Sequence, residues 1–351
     1  MGAGDDCGTI GNYEYCFNWV FHQDGALEVE IMLTGIMLVK GVTAQTETDH
    51  QHGDKHGHLV APNIEAPHHQ HFFNFRLDLD IDGAGANSIV EQNTMASLPG
   101  KANPQNNAFT MKETVFKREL EAQRQLNFAT VRRWKIINAE AKNALGQAPG
   151  YLLVTGENSP SFSGLNSWVR RRAGFLDHHL WVTPYAPEEM YSAGDYINQN
   201  RGGEGLPAWT KANRSIEKQD LVLWYTMGVT HIPRPEDWPV MPVHKTGFKL
   251  IPNGFFTRNP DDGFAAGASR RTVKFTAQAR GTRKRPGSGL LHSPFREGDV
   301  VPASAGRNGS FRLKPVLHSA LHGSEIRAKN GKGRLPLLDH YSPRLCFFVL
   351  L

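Results

Sequence analysis

Residues 13–21 read Tyr-Glu-Tyr-Cys-Phe-Asn-Trp-Val-Phe, with an aromatic side chain at every odd position. Successive side chains of an extended strand point to opposite faces, so this spacing sets five rings on one side of one strand. After Gln23-Asp24-Gly25 the same period resumes at Leu27, Val29, Ile31 and Leu33. Two alternating runs joined through an Asp-Gly turn predict a β-hairpin with one apolar face on each strand. The 35 glycines and 21 prolines also favour a turn-rich β fold over a helical bundle.

Further strands are expected at His69–Ile81, closed by Asp82-Gly83, and at residues 151–155, 179–183 and 221–231. Residues 43–58 are polar and His-rich and read as a loop, as do residues 94–109. Residues 110–126 fit either an amphipathic helix or a long exposed strand, and no internal repeat is evident.

A length of 351 residues allows one large domain or two ordinary ones. The longest apolar run, residues 31–39, is too short to span a bilayer. Neither a signal peptide nor a peroxisomal C-terminal address is visible. Cys7, Cys16 and Cys346 are odd in number and scattered, so free thiols are expected. Charge is unevenly placed: residues 259–351 hold 16 Lys and Arg against 6 Asp and Glu, and residues 1–258 hold 23 against 28. This basic Gly/Arg/Ser/Pro-rich tail lacks sustained periodicity and is expected to be disordered. It suits weak attraction to phosphates, but with no interleaved aromatics or known module specific nucleic-acid binding is not expected.

Seven histidines fall between residues 50 and 71, including the H-x-H pairs His50/His52, His56/His58 and His69/His71. On a strand, H-x-H puts two imidazoles on one face about 6–7 Å apart, within reach of one copper, zinc or iron ion. The first two pairs lie in a polar loop and fit solvated side chains, whereas His69/His71 open an aromatic strand that would hold them. His231 closes the run Leu221–His231 and is either a half-buried cap or a distant third ligand. Asp78, Asp80 and Asp82 alternate along one face, as a solvated strand edge or a hard-cation site.

Together these motifs, in this order, resemble the copper-dependent, quinone-containing primary amine oxidases over about residues 7–258. Thr9-x-x-Asn12-Tyr13-Glu14-Tyr15 resembles the family's cofactor motif, and residues 67–73 (PHHQHFF) its H-x-H copper segment. Residues 228–242 (GVTHIPRPEDWPVMP) resemble the segment bearing the third copper histidine, and residues 143–151 (NALGQAPGY) are also similar to these enzymes. The resemblance implies that Tyr13 is the precursor of topaquinone, generated by copper and O₂, within a cofactor segment that includes Thr9, Asn12 and Glu14. It implies that Asn12 orients the quinone and that His69, His71 and His231 hold Cu(II). Asp78, the Leu79 carbonyl, Asp80, Asp220 and the Leu221 carbonyl match a second, calcium-type site. The implied fold is a large antiparallel β-sandwich in an intertwined homodimer with hairpin arms, which tips residues 110–126 toward strand or arm. The implied reaction takes a primary amine and O₂ to aldehyde, ammonia and hydrogen peroxide.

Two departures qualify that expectation. The family's aspartate base precedes the cofactor tyrosine by more residues than stand before Tyr13, so residues 1–258 resemble the C-terminal portion of the catalytic domain and no residue is assigned as the base. Family-like sequence also ends at residues 247–261 (GFKLIPNGFFTRNPD), leaving residues 259–351 as non-family sequence. The primary expectation is therefore an amine oxidase by family, inactive toward amines as this chain alone. The alternatives are a catalytically silent copper-binding or interaction protein and a basic-tail binder of anionic surfaces.

Overall fold

The computed structural model describes residues 2–50, 56–197, 200–257, 259, 316–318 and 344–350. In chain order the strands are β1 (Gly2–Ile10), β2 (Tyr13–Phe21), β3 (Leu27–Ile36), β4 (Lys40–Gly41), β5 (Gly57–Ala61), β6 (Ile64–Pro67), β7 (His69–Asp78), β8 (Asn87–Ala96) and β9 (Phe109–Val115). They continue with β10 (Arg133–Asn138), β11 (Gly150–Val154), β12 (Leu180–Pro184), β13 (Glu217–Gln219), β14 (Leu221–His231), β15 (Val240–Asn253), β16 (Val316–His318) and β17 (Arg344–Leu350). A nine-stranded sheet runs β1-β2-β3-β15-β11-β10-β8-β13 with β9 on β8, and a five-stranded sheet runs β12-β14-β7-β17-β16. A small third sheet is ordered β4-β6-β5.

The two large sheets pack face to face as an antiparallel sandwich, as expected from the sequence. Tyr13, Tyr15, Phe17 and Trp19 on β2 and Leu27, Val29, Ile31 and Leu33 on β3 point into one core with Phe73, Phe75 and Leu77 on β7 and Leu223, Tyr225 and Met227 on β14. Edge-to-face ring contacts join the layers: Phe73 meets both Tyr15 and Phe17 at 5.7 Å, and Phe75 meets Phe248 at 4.8 Å. Phe21 departs from the expectation, since the last of the five rings is 52% exposed at the strand end.

The five-stranded sheet is covered on both faces. Phe72, Trp181, Val222 and Trp224 turn away from the sandwich into a second cluster with Ala173, Phe175, Leu176 and Leu206. That is why β14 reads as an unbroken apolar run instead of an alternating one.

Two other expectations are revised, and one open choice is decided. Cys7 and Cys16 are not free thiols but a disulfide across the β1–β2 pair, where they stand directly opposite each other. Scattering in sequence hid this, because the register of two strands decides it. The region at 43–58 is not all loop: it contains a helical turn at Glu47–His50 and the start of β5. Within 110–126, the strand β9 ends at Val115 and a 3₁₀ turn follows at Glu119–Ala122, so strand pairing with β8 overrides helical propensity. Most of the tail lies outside the described residues, but β17 pairs antiparallel with β7. Among the described residues, no helix is long and apolar enough to cross a membrane.

Candidate metal centre

Tyr13 sits at the first position of β2, directly after the two-residue turn Gly11-Asn12. Gly11 has φ +61°, the value a tight hairpin asks of its first central residue and one that glycine adopts without strain. Opposite Tyr13 lies Gly35, at φ +121°, where an added Cβ would stand 2.4 Å from the Asn12 carbonyl oxygen and 2.8 Å from the Tyr13 Cα. The Ile36 N–H donates to that same Asn12 carbonyl at 2.8 Å. A glycine on β3 thus lets the turn close down and aims the tyrosine ring inward, where it is 1% exposed.

On β7, His69 and His71 share the core-facing side with Phe73 and Phe75. The β7–β14 register puts His231 directly opposite His69, which brings the third imidazole to the pair from 162 residues away in sequence. One nitrogen from each of the three rings falls within 4.8 Å of the others. His69 Nε2 and His231 Nδ1 are 3.3 Å apart, the separation of two ligands in a tetrahedron with metal–nitrogen bonds of about 2.0 Å.

Each ring is held by its other nitrogen. His69 Nδ1–H donates to the Pro67 carbonyl at 2.9 Å, and His231 Nε2–H donates to Asp237 at 3.2 Å. His71 Nδ1 is 2.8 Å from the hydroxyl of Tyr15. These partners select the tautomers that turn His69 Nε2, His71 Nε2 and His231 Nδ1 toward one point, as outer partners do for metal-bound imidazoles. Asp237 is itself clamped by Arg234, whose guanidinium donates at 2.8 Å and whose backbone N–H donates at 2.9 Å. Partial burial opposes the Asp237 carboxylate, but the Arg234 and His231 hydrogen bonds hold its pKa below the ordinary value.

Burial depresses the pKa of His69 to about 4, despite the opposing Pro67 hydrogen bond. Burial and the neighbouring imidazoles depress that of His71 to about 3. Both rings are therefore neutral at neutral pH, with lone pairs available to a cation. The ring of Tyr13 lies beside them, its centroid 5.3 Å from His69 and 5.2 Å from His71. Its hydroxyl is buried without a hydrogen-bond partner of ordinary geometry among the described residues. Burial raises its pKa, the Leu38 backbone opposing only in part. A buried phenol lacking such a partner, next to three converging imidazoles, fits a site that holds a polar group at their centre. The donor set, all imidazole nitrogen, suits copper(II) or zinc.

The remaining predicted residues divide into two groups. Asp78, Asp80 and Asp220 converge, each with a carboxylate oxygen within 4.8 Å of the others. Leu79 and Leu221 beside them have fully buried side chains, so only their main-chain carbonyls could face a cation. Asp82, third in the alternation, lies past the end of β7 and is exposed, and Asp220 takes its place from the neighbouring strand. Thr9 and Glu14 pair across β1 and β2 and are exposed on the face opposite the Tyr13 ring, while Asn12 is exposed on the turn. Tyr15 and Asp237, which hold two of the imidazoles, had gone unremarked. Tyr15 looked like one more core ring, and Asp237 was one carboxylate among many.

The family model for the copper amine oxidase enzyme domain matches residues 6–267. A copper-containing diamine oxidase 1, peroxisomal, of Nicotiana tabacum is 45% identical over 258 residues, 72% of this chain and 32% of that protein. The histamine oxidase of Arthrobacter globiformis is 45% identical over 252 residues, 72% of this chain and 36% of that protein. This chain thus spans about a third of the length of these curated relatives. The crystal structure of a copper-containing benzylamine oxidase from Hansenula polymorpha matches with a TM-score of 0.68 at 31% identity, over 74% of this chain and 40% of that one. With its enzyme-domain pattern matched across most of the sequence and its histidines brought together by the fold, the chain belongs to the copper amine oxidase family.

Proposed function

We propose that residues 1–258 carry the copper-binding and cofactor-forming part of a primary amine oxidase, with His69, His71 and His231 as Cu(II) ligands and Tyr13 as the topaquinone precursor. The observation that carries this reading is the convergence of three imidazoles, each pinned at its outer nitrogen, beside a buried phenol whose hydroxyl has no partner of ordinary geometry among the described residues. Bound copper with O₂ would supply the oxidation that converts a tyrosine to the quinone, and the quinone would accept electrons from a primary amine.

The chain's own residues supply position and protonation. Burial holds the Tyr13 pKa above its ordinary value, and a cation held by the imidazoles would favour loss of that proton. The Gly11-Asn12 turn and Gly35 fix the root of the ring, with Asn12 as the neighbour that orients it. Asp78, Asp80 and Asp220, with the Leu79 and Leu221 carbonyls, form a calcium-type site that ties β7 to β14 and so stabilises the strands bearing all three histidines. The exposed Phe109, Met111 and Val115 of β9 suit an arm that reaches a second copy of the chain in a homodimer. No residue is assigned as the base that takes the amine's α-proton.

The test is aerobic addition of Cu(II) to the metal-free chain. Copper tightly bound at the triad is expected, followed by a visible chromophore that phenylhydrazine traps. Tyr13→Phe should keep the copper and lose the chromophore. Copper binding with no adduct in the unmodified chain would favour a catalytically silent copper protein instead. With no base assigned, benzylamine- or tyramine-dependent peroxide release by this chain alone is expected to be absent.

A further inference from the structure

Immediately outside the buried triad, the small sheet repeats its local design on the solvent side. The β5–β6 register pairs Gly57 with Pro67 and His58 with Ala66, and the His68 N–H donates to the His56 carbonyl at 2.7 Å. His56 therefore stands opposite His68, and His58 lies two residues along on the same face. This is an H-x-H on one strand with a third histidine across from its first member. The buried site has the same arrangement, with His231 opposite the first histidine of His69-x-His71.

Two of the three rings meet. His58 Nδ1 and His68 Nε2 are 2.9 Å apart, with ring centroids at 5.1 Å. Adjacent ligands on a tetragonal ion with metal–nitrogen bonds of about 2.0 Å stand about 2.8 Å apart. His56 and His68 are exposed and His58 is half-buried, so an ion can arrive directly from water. The other charged groups of this hairpin do not compete for it. Glu65 is buried and engaged by His50 at 2.7 Å and Lys40 at 2.9 Å. Residues 65 and 68 also differ by an odd number, which places their side chains on opposite faces.

We infer that His58 and His68, joined by His56 when its exposed ring turns toward them, form a second, solvent-facing site for Cu(II), which collects the ion on the outer side of the buried triad. Binding at this site stands on its own geometry; delivery to the triad rests on the function proposed above. His68 and His69 are consecutive, so their Cα atoms are about 3.8 Å apart and their side chains leave the chain in opposite directions. The outer rings thus stand on the other side of the same backbone segment from the inner ligands, about 10 Å away.

The test uses the full metal-free chain and its double variant His58→Asn/His68→Asn, both surface changes that leave the triad intact. Each is loaded with excess Cu(II), freed of unbound metal on a desalting column and assayed for copper per chain, with electron paramagnetic resonance to count bound nitrogens. Two equivalents in the unmodified chain and one in the variant are expected. One equivalent in both would overturn the outer site and leave the triad standing. One equivalent that the variant abolishes would keep the outer site and overturn the triad. Two equivalents in both would also overturn this assignment. For delivery, half an equivalent of Cu(II) is added and the Tyr13 chromophore is timed. A several-fold slower rise in the variant with the same end point is expected, and equal rates would overturn delivery.

Discussion

Five rings at equal spacing look alike in a sequence, and only their neighbours separate them. Phe17 meets Phe73 across the core and Phe21 runs out into solvent, while Tyr13 and Tyr15 face the imidazoles. The Tyr15 hydroxyl fixes His71, so Tyr15→Phe should lower Cu(II) affinity roughly 10- to 100-fold while the sheet remains folded. Titration calorimetry on the metal-free chain reads this directly, and an unchanged affinity would remove Tyr15 from the site. Tyr13→Phe gives the contrasting outcome: affinity close to the parent and no chromophore. Gly35 is a second residue whose role only the fold reveals. Gly35→Ala would press a Cβ against the Asn12 carbonyl at an unfavourable φ, at a cost of at least about 1–3 kcal/mol. A urea melt should show the loss, and any copper-dependent chromophore should form more slowly because the Tyr13 ring is no longer held.

At the scale of elements, period-two patterns made β2 and β3 legible and strand-like apolar runs did the same for β7 and β14; β2, β7 and β14 hold every ring of the buried site. Partnership was not legible. That His231 pairs with His69 is a matter of β7–β14 register, and nothing local to either strand encodes a contact between residues so far apart. The family resemblance supplied that link, not periodicity. The same limit concealed the Cys7–Cys16 disulfide, which depends on β1 pairing with β2 over its full length. Short, irregular or exposed strands such as β9 and β13 carry too little alternation to be seen. The disulfide closes a loop of about ten residues around the Tyr13 turn, so Cys7→Ala/Cys16→Ala should lose up to about 3 kcal/mol in denaturant melts. A variant as stable as the parent would mean that strand pairing alone holds the hairpin.

For the whole molecule, the buried histidines couple acid to folding. In the unfolded chain these rings titrate near 6.5, whereas in the fold His69 titrates at about 4 and His71 at about 3, burial being the main cause in each. His179, also buried, is lowered to about 4. Between these values the unfolded chain binds protons that the folded chain refuses, so unfolding free energy rises with pH across the window. Above about pH 7 the rings are neutral in both states and contribute no slope. Below it the metal-free protein should lose stability steadily until pH 3–4, where the folded rings protonate too. Copper sharpens the effect, because an ion bound by the fold adds RT ln(1 + [L]/Kd) to its stability and protons compete for the same nitrogens. Denaturant midpoints measured from pH 7.5 to 5 should therefore fall for the metal-free chain and fall more steeply with Cu(II) present. His69→Gln/His71→Gln should flatten the metal-free slope without abolishing it, since His179 still titrates. The same substitutions should remove the triad's share of the copper-dependent gain at every pH. A slope indifferent to both histidines would place the acid sensitivity elsewhere in the sandwich.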